Sequence, residues 1–395
     1  MSAPVAPAAR PPRALFYVQH LLGIGHLARA SRIAAAMAAD GFEVTMVTGG
    51  LPVPGFPGPG VAHVALPPIR SGDAGFTGLT DAEGRPVDDA FKAMRRDRLL
   101  ETFREAGPDV VIIEAFPFGR RQVRFELLPL IEAIAASRPR PLLVSSVRDI
   151  LQANRKPGRD AETAELVERA FDAVLVHGDP AFVRLEDSFP EAARIADRVQ
   201  YTGLVAPVAP AAPAAPAERH DVTVSAGGGA VGRALIEAAV GAARLMPDLT
   251  RWCVVTGPNL PQGEYDAIAA AAPSGVTLHR FREDFVRVLA GSRLSVSQAG
   301  YNTVCDVLVA GCRSVLLPFA AGGETEQGVR AERLAAQGRA VVLPEEGLTP
   351  ERMVEAIRRA LRGPDPARIA LDLDGAAGTA RILRAMIGGH AARAR

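Results

Sequence analysis

The sequence predicts an α/β protein made of two doubly wound parallel sheets that face each other across a cleft. Short runs of β-branched and aliphatic residues recur along the whole chain without polar alternation, and segments of helical pattern separate them. Strands of this kind suit a parallel sheet that helices cover on both faces. The segment 207–216, in which proline recurs at every third position, then divides the chain into two halves with the same order of elements.

The length supports the same division. A chain of 395 residues exceeds the size at which a single hydrophobic core keeps growing. The proline-rich run favours an extended, semi-rigid spacer. We expect a disordered leader over 1–13, an N-terminal Rossmann-like domain over 14–204, a Pro/Ala linker over 205–220, a C-terminal Rossmann-like domain over 221–375 and a terminal helix over 376–395.

Individual strands follow from the apolar runs, and an alanine-rich helix is predicted over 27–39. In the first half the predicted strands are 14–18, 43–48, 61–65, 109–113, 142–144 and 173–176. In the second half they are 222–224, 252–255, 276–279, 294–296, 315–317 and 340–343. The glycine-rich stretch 67–86 is expected to be irregular.

Charge and cysteine content exclude several classes of protein. The net charge is +1, from 45 Lys and Arg against 44 Asp and Glu, which gives no general attraction to nucleic acid or to an anionic membrane. The three cysteines show no CxxC spacing, so we expect free thiols in a cytoplasmic protein. No apolar stretch has the length of a signal-peptide core or a membrane span, although peripheral association stays open.

The most informative segment is 297–327. A glycine-rich turn ends at Gly300 and opens a helix that carries Asp306; a buried strand and a second helix, beginning at Glu326, follow. A helix start offers free backbone N–H groups to a phosphate, and a nearby carboxylate accepts hydrogen bonds from ribose hydroxyls. These residues favour a nucleotide-sugar site, although serine, glycine and asparagine are also ordinary cap and turn residues.

The segment resembles the C-terminal half of the GT-B glycosyltransferases of family 28, the type that adds N-acetylglucosamine to lipid I. The positions that match are Gly300, Thr303, Asp306, Gly311, Pro318, Phe319 and Gln327. The resemblance implies a nucleotide-sugar donor, with UDP as the expected nucleotide, whose ribose Asp306 holds. Two positions depart from the family: Asp306 is commonly Glu there, and Glu326 replaces a Gln, so the sugar is not defined. In this fold the last helix often returns to the first domain, which we expect here.

Two glycine-rich loops occupy matching places after the first strand of each half. Gly23 and Gly25 precede His26 at a helix start, although a Gly-x-Gly alone is a weak motif. The run 227–229 follows the strand 222–224, and its counterpart in the family contacts the donor diphosphate; three successive glycines are costly in any fold, so a plain turn explains them poorly. The complete predicted donor site is Ser225, Gly227, Gly228, Gly229, Gln298, Gly300, Asn302, Thr303, Asp306, Pro318, Phe319, Glu326 and Gln327.

Two residues are candidates for the catalytic base that deprotonates an acceptor hydroxyl. His26 has a side chain whose pKa is ordinarily near neutral, and it lies at the expected cleft, although a lone histidine there often only caps or packs. Glu114 directly follows the strand 109–113, so it is also expected at the cleft. Its alternative is a helix-start acid stabilised by the helix dipole.

Three further segments resemble a bacterial group described as predicted glycosyltransferases: EAFPFGR at 114–120, SVRDI at 146–150 and VHGDP at 176–180. With them, the resemblance extends over nearly the whole chain but implies no substrate. The predicted acceptor-binding residues are Gly23, Gly25, Phe118, Arg120, Arg148, Asp149 and His177. Alternatively, Arg148–Asp149 and His177–Asp179 are ion pairs that tie loops together, and Arg120, Arg121 and Arg124 form a solvated helix face.

The leading hypothesis is an inverting, metal-independent glycosyltransferase that moves a sugar from a nucleotide diphosphate, expected to be UDP, to an acceptor hydroxyl. No cofactor is expected, because GT-B enzymes hold the leaving diphosphate with helix dipoles and side chains, and the DxD pattern at 372–374 lies beyond the last predicted strand. The sequence leaves two kinds of acceptor open, a lipid-linked molecule and a small molecule. The alternatives are a nucleotide-sugar epimerase or hydrolase of the same fold and a non-catalytic nucleotide-sugar-binding protein.

Overall fold

The computed structural model describes residues 10–21, 23–71, 78–154, 156–211, 215, 218–227, 232–257, 260–320, 323–366 and 370–393. In the first half the strands are β1 (Arg13–Val18), β2 (Glu43–Thr48), β3 (Ala62–Ala65), β4 (Arg70–Ser71), β5 (Leu79–Thr80), β6 (Val110–Glu114), β7 (Leu142–Arg148), β8 (Ala173–His177) and β9 (Val199–Tyr201). The α-helices there are α1 (Gly25–Ala39), α2 (Asp89–Ala106), α3 (Arg124–Ala136) and α4 (Arg159–Ala170).

In the second half the strands are β10 (His220–Ser225), β11 (Trp252–Val255), β12 (Val276–His279), β13 (Ser292–Gln298), β14 (Arg313–Leu317) and β15 (Val341–Val342). Its α-helices are α5 (Arg233–Leu245), α6 (Gln262–Ala271), α7 (Phe285–Ala290), α8 (Tyr301–Ala310), α9 (Glu326–Ala336), α10 (Pro350–Arg362) and α11 (Gly375–Arg393).

The strands form two parallel sheets, one in each half. The first has the order β3-β2-β1-β6-β7-β8-β9 and the second the order β12-β11-β10-β13-β14-β15. In both, the chain runs outward from the first strand to one edge and then returns to build the other side, so the doubly wound fold class is confirmed. Ligands bind such sheets beyond the carboxyl ends of the strands, where the strand order reverses. Here these points follow β1 and β6 in one sheet and β10 and β13 in the other.

The strand β6 shows why the apolar runs carry no polar alternation. Val111 and Ile113 belong to the core on one face of the first sheet, whereas Val110 and Ile112 belong to the core on the opposite face. Successive side chains of a strand point to opposite faces, so a strand covered on both sides is apolar at every position.

The helix α2, for which the sequence pattern gave no prediction, has an apolar stripe of Phe91, Leu99 and Phe103 that a charged residue interrupts. Arg95 stands at one of its core-facing positions with no exposed surface, and it donates to both oxygens of the buried Glu126, at 2.7 and 2.9 Å. Tyr17 on β1 donates to the same carboxylate at 2.5 Å. A paired buried charge thus takes the place of a hydrophobic residue in this helix.

Parts of the predicted leader and of the stretch 67–86 have regular contacts. Residues 1–9 lie outside the described residues, but Arg10 pairs with Asp109 at 2.6 Å. Within 67–86, β4 and β5 form a short antiparallel hairpin, a local correction to the irregular structure expected there. Residues 72–77 lie outside the described residues.

The last helix, α11, packs against α1 of the first domain. Leu383 lies in the same hydrophobic cluster as Ile33 and Met37 of α1. Glycine permits the close approach at the start of α11, because a Cβ added to Gly375 or to Gly378 would lie 2.2 Å from a backbone oxygen of residues 203 and 202, respectively. The second half of the chain therefore ends on the first domain.

The two domains also share a small hydrophobic cluster near the carboxyl ends of their sheets. Ile150 and Phe182 come from the first domain, and Val304, Ala331 and Leu334 come from α8 and α9 of the second. The cluster fixes the start of α8 opposite the ends of β7 and β8. The polar residues predicted for the site surround this contact.

Candidate active site in the interdomain cleft

His26 and Glu114 form a hydrogen-bonded pair at the carboxyl ends of β1 and β6. His26 is the second residue of α1, and its Nδ1 lies 2.9 Å from Glu114 Oε1. The His26 side chain is 21% exposed, whereas that of Glu114 has no exposed surface. The Nε2 of His26 has no hydrogen bond to a described residue. The imidazole is therefore fixed through Nδ1, and Nε2 is available to a ligand.

Glu114 has further partners deep in the first domain. Arg29, one turn after His26, forms an ion pair with Oε1, and Ser146 Oγ donates to Oε2 at 2.5 Å. The buried His177 contacts the same hydroxyl through Nε2 at 2.8 Å, and its Nδ1 lies 2.9 Å from Thr202 Oγ1. A continuous polar network therefore connects His26 with the interior of the sheet.

This network sets the charge of both members of the pair. Burial alone raises the pKa of Glu114, but Arg29, His26 and Ser146 outweigh it and lower that pKa to about 2. Burial and the charge of Arg120 lower the pKa of His26 to about 3, although Glu114 opposes the shift. Near pH 7 the pair is therefore a neutral imidazole beside an ionised carboxylate.

Three of the predicted site residues are completely buried, namely Glu114, Asp149 and His177. Since none of these side chains reaches the cleft surface, direct contact with an acceptor is not available to them in this structure. Glu114 and His177 instead belong to the network behind His26. Asp149 forms an ion pair with Arg330 of the second domain, at 2.7 Å.

The loop that follows β6 has an unusual backbone. Ala115 and Arg120 both have positive φ, at 64° and 57°, a region that residues other than glycine seldom adopt and that is often found at functional sites. Phe118, a predicted acceptor residue, instead packs edge to face on Phe189 with ring centroids 5.0 Å apart. Of the three predicted arginines, Arg121 and Arg124 pair with Glu162, whereas Arg120 forms no ion pair with a described residue.

On the donor side, two loop ends face the cleft. Gly227 has a φ of 70°, and its N–H donates to Ser225 Oγ at 3.2 Å. Gly300 is the N-cap of α8, and no side chain caps that helix start. Gly228 and Gly229 lie outside the described residues. Of the other predicted donor residues, Gln298 ends β13, Thr303 lies in the first turn of α8, and Pro318 follows β14.

The segment after β14 is held by Gln327 of α9. Its Oε1 accepts from the backbone N–H of Phe319 at 3.2 Å. Phe319 and Gln327, which the resemblance placed around the donor sugar, are therefore neighbours. Across the cleft, Asn302 Nδ2 donates to the carbonyl oxygen of Gly25 at 3.0 Å, and Gly23 has open space where a Cβ would stand.

Two predicted donor acids are engaged by arginines of the first domain. Asp306 Oδ1 accepts from Arg32 at 3.2 Å, and burial raises the pKa of Asp306 to about 6 although Arg32 opposes the shift. Glu326 is buried and pairs with Arg148 of the first domain and with Arg330 on its own helix. Ion pairs therefore connect the predicted donor side of the cleft with the first domain.

Sequence reasoning missed Tyr301, the first residue of α8. Its hydroxyl donates to the carbonyl oxygen of His177 at 2.8 Å and accepts from the backbone N–H of Val205 at 2.8 Å. The guanidinium carbons of Arg29 and Arg330 lie 5.2 and 5.7 Å from its ring centroid. No motif marked Tyr301; an aromatic residue directly after the predicted helix cap was the one available signal.

A cavity of about 450 Å³ lies beside the loop that carries His26 and reaches the second domain. Its walls are largely apolar and include Leu21, Ile24, Val53, Phe56, Ile69 and Phe281. Phe281 follows β12 in the second domain and is 60% exposed. The cavity thus joins the two domains at Ile24, two positions before His26.

Comparison with known proteins agrees with this geometry. Residues 223–369 match the glycosyltransferase family 28 C-terminal domain. The UDP-N-acetylglucosamine--N-acetylmuramyl-(pentapeptide) pyrophosphoryl-undecaprenol N-acetylglucosamine transferase of Exiguobacterium sp. is 33% identical over 147 residues, which are 36% of this chain and 38% of that protein. The protein of the same name from Phenylobacterium zucineum is 33% identical over 141 residues, 35% of this chain and 39% of its own length. The chain thus spans about two fifths of these relatives.

Solved structures extend the likeness to the whole chain. The glycotransferase of kitacinnamycin superposes with a TM-score of 0.63 at 16% identity, covering 97% of this chain and 100% of that one. Acinetobacter baumannii MurG superposes with a TM-score of 0.59 at 15% identity, covering 95% and 100%. At these identities the likeness establishes the fold.

The fold and the cleft define a GT-B protein, as the sequence predicted. Within that class, residues 223–369 match the glycosyltransferase family 28 C-terminal domain, so the predicted resemblance to family 28 is confirmed over this segment. Among the described residues, no helix combines the length and the apolar character needed to cross a bilayer.

Proposed function

We propose that the protein is an inverting glycosyltransferase that transfers a sugar from a UDP-sugar to an acceptor hydroxyl, with His26 as the catalytic base. One observation carries the proposal: a neutral His26, whose Nδ1 is fixed by a buried carboxylate, lies on the loop that borders a cavity between two GT-B domains. The names of the family 28 relatives support UDP as the donor nucleotide.

The transfer is a single displacement. His26 Nε2 takes the proton of the acceptor hydroxyl while the acceptor oxygen attacks the anomeric carbon from the face opposite the leaving group. The bond from that carbon to the diphosphate oxygen breaks, and its electron pair leaves with UDP. Attack from the opposite face inverts the anomeric configuration.

Glu114 is a positioning residue in this scheme. It keeps the His26 proton on Nδ1, so that Nε2 presents a lone pair, and its negative charge stabilises the imidazolium that forms during transfer. Arg29 and Ser146 keep the carboxylate ionised and oriented.

The donor diphosphate is placed at the uncapped start of α8 and at the turn of Gly227. Free backbone N–H groups and the helix dipole favour the negative charge that grows on the leaving oxygen. In this proposal Asp306 holds the ribose, Phe319, Glu326 and Gln327 line the sugar, and no metal or other cofactor takes part. Chelation by EDTA is accordingly expected to leave turnover unchanged.

The acceptor is proposed to be a hydroxyl compound bound from the first domain, and the reaction is placed in the cytoplasm. The two relatives named above carry undecaprenol-linked acceptors in their names, which makes a lipid-linked acceptor one candidate. The apolar cavity beside His26 makes a small apolar molecule the other.

The test is nucleotide release across a panel of UDP-sugars, with and without a mixture of hydroxyl acceptors. We expect acceptor-dependent UDP release that falls by about 10²- to 10⁴-fold in His26→Ala, the usual contribution of a general base. Glu114→Gln is expected to lower kcat strongly while changing the donor KM little, because it acts through His26. His63→Ala, an exposed histidine on β3, is the matched control and is expected to retain full activity.

Four results would contradict the proposal. Equal UDP release without any acceptor would indicate a hydrolase, and conversion of one UDP-sugar into another would indicate an epimerase. Binding of UDP-sugars without turnover across the panel would indicate a non-catalytic binding protein. Full activity of His26→Ala would show that His26 is not the catalytic base, and it would not affect the fold assignment.

A further inference from the structure

His177 ends β8 and is completely buried inside the first domain. Burial, together with the charge of Arg29, lowers its pKa to about 3, so the imidazole is neutral near pH 7 and has one N–H and one lone pair. The four preceding residues of β8 are apolar, and an apolar side chain would cost less to bury at this position than a histidine. A role for the polar ring therefore lies in the partners of its two nitrogens.

Three neighbouring strands bring His177 close to the pair of His26 and Glu114. Glu114 stands opposite Ser146 in the pairing of β6 with β7. Ser146 in turn stands opposite Leu175 of β8, two positions before His177. Partners across strands, and positions two apart on one strand, present their side chains on the same face of a sheet. The polar side chains therefore form one row behind His26.

The distances assign the hydrogens of this row. Ser146 Oγ has one proton, and its 2.5 Å contact with the ionised Glu114 requires that proton to lie between the two oxygens. His177 Nε2, which lies 2.8 Å from the same hydroxyl, must then donate its own hydrogen to Oγ. The other tautomer would leave two lone pairs facing each other at one of the two contacts of Ser146. Nδ1 of His177 therefore has the lone pair, and the hydroxyl of Thr202 is its partner at 2.9 Å.

The hydrogen bonds of the row consequently run in one direction, towards the carboxylate. Thr202 donates to His177, which donates to Ser146. Ser146 donates to Oε2 of Glu114, whose Oε1 accepts from Nδ1 of His26. Successive hydrogen bonds of one direction polarise and strengthen each other. The row thus holds one carboxylate oxygen and thereby orients the other oxygen towards His26.

His177 is itself fixed by contacts outside the row. Tyr301, the first residue of α8 in the second domain, donates to the backbone carbonyl oxygen of His177 at 2.8 Å. Thr202 lies against α11, because a Cβ added to Gly378 would come within 2.2 Å of its backbone oxygen. The hydroxyl of Thr202 also lies 2.9 Å from the carbonyl oxygen of Gly203. The position of the ring is therefore set by the backbone on both sides of it.

We propose that His177 is a positioning residue of the transfer reaction: its Nε2–H directs the hydroxyl of Ser146 to Glu114, which then holds His26 in the orientation of a base. The inference rests on the proposed function and assigns a role to a residue that touches neither substrate. The alternative is that the row only ties β6, β7 and β8 together. That role predicts lost stability without a selective effect on His26.

Two substitutions of His177 test the direction of the row. Asparagine is too short to reach Ser146 from this position, whereas glutamine can present an amide N–H near the place of Nε2. His177→Asn is expected to lower kcat by about 3- to 10-fold, the contribution of a neutral hydrogen bond, and His177→Gln by about twofold at most. The KM values of donor and acceptor are expected to change little in both variants, because His177 is completely buried.

Ser146→Ala removes the donor to Glu114 itself. Because a hydrogen bond to a carboxylate is stronger, kcat is expected to fall by about 10- to 100-fold. The matched control is Ser145→Ala, since Ser145 is equally buried on β7 but donates to the carbonyl oxygen of Phe116 at 2.7 Å; it is expected to retain activity. In the Ser146→Ala background, His177→Asn is expected to lower kcat no further, because its effect passes through Ser146. Additive losses, or equal losses in His177→Asn and His177→Gln, would overturn the proposal.

Nitrogen NMR of histidine-labelled protein tests the same arrangement without turnover. The nitrogen chemical shifts distinguish the two neutral tautomers, and the signals are assigned by their loss in His177→Gln and His26→Ala. We expect the hydrogen on Nε2 of His177 and on Nδ1 of His26. The Nδ1–H of His26 is expected to exchange with water at least about 10-fold faster in Ser146→Ala, because its acceptor is less firmly held, and at the wild-type rate in Ser145→Ala. A hydrogen on Nδ1 of His177, or unchanged exchange in Ser146→Ala, would overturn the proposal.

The two kinds of measurement separate this inference from the proposed function. A protein that shows these tautomers and the faster exchange but transfers no sugar would contradict the proposed function alone. A protein that transfers sugar, and keeps full kcat in both His177→Asn and Ser146→Ala, would contradict the role of His177 alone. Circular dichroism of each variant at the assay temperature shows whether a loss of kcat comes from unfolding.

Discussion

Replacing Arg330 by methionine is expected to lower the thermal stability of the protein. The expected loss is larger than for the replacement of an exposed residue at the same interface between the domains. Arg330 is 1% exposed and donates to both oxygens of Asp149, at 2.7 and 3.0 Å, and to the carbonyl oxygen of Ala299 at 2.9 Å. Methionine fills similar space but leaves Asp149, which has no exposed surface, with the backbone N–H of Ile150 as its remaining described donor.

The magnitude follows from the cost of an unpaired buried charge. Removing one member of a buried ion pair costs about 3–5 kcal/mol. In a domain of 150–250 residues, each kcal/mol lowers Tm by about 2–4 °C, so the expected decrease in Tm is about 6–20 °C. Trp252, the single tryptophan of the chain, is buried in β11 and reports unfolding of the second domain by its fluorescence.

The matched control is Arg333→Gln on the same helix. Arg333 also pairs with the first domain, through Asp187 at 2.9 Å, but both side chains are more than one third exposed. Exposed pairs contribute about 0–1 kcal/mol, so a decrease of at most about 4 °C is expected. Adding Asp149→Asn to Arg330→Met is expected to recover part of the lost stability, because a neutral amide is less costly to bury. Equal melting of Arg330→Met and Arg333→Gln would refute the reasoning.

Two further predictions concern the pH dependence of activity and the docking of the last helix. Because the pKa of His26 is lowered to about 3, the imidazole stays unprotonated well below its usual pKa of 6.5, and the acid limb of a kcat/KM profile is expected below pH 5; a limb centred near pH 6.5 would contradict this. Gly378→Ala places a Cβ 2.2 Å from the carbonyl oxygen of Thr202 and is expected to cost about 1–3 kcal/mol. Gly388→Ala, with open space around the added carbon, is the control and is expected to be neutral or slightly stabilising in thermal unfolding.

The fold was predictable because its signals are local. A strand buried on both faces needs an apolar residue at every position, and β6 shows this directly in its four aliphatic residues. The left-handed Gly311 that ends α8 is likewise visible in the sequence, because its φ of 68° favours glycine. The helix α2 escaped prediction since a buried arginine replaces part of its apolar stripe.

The sequence by itself determined the two sheets, the interdomain cleft and the set of polar residues at the strand ends. Only the tertiary structure decided which of those residues face a ligand and which face each other. His26, Glu114 and Asp149 all follow or flank apolar strands and look alike in sequence, but Glu114 and Asp149 are buried against arginines. Asp149 and Arg330 are 181 positions apart, and no local pattern encodes such a pairing. Electrostatic partnership depends on distance in space, whereas sequence periodicity records only the requirements of each strand or helix.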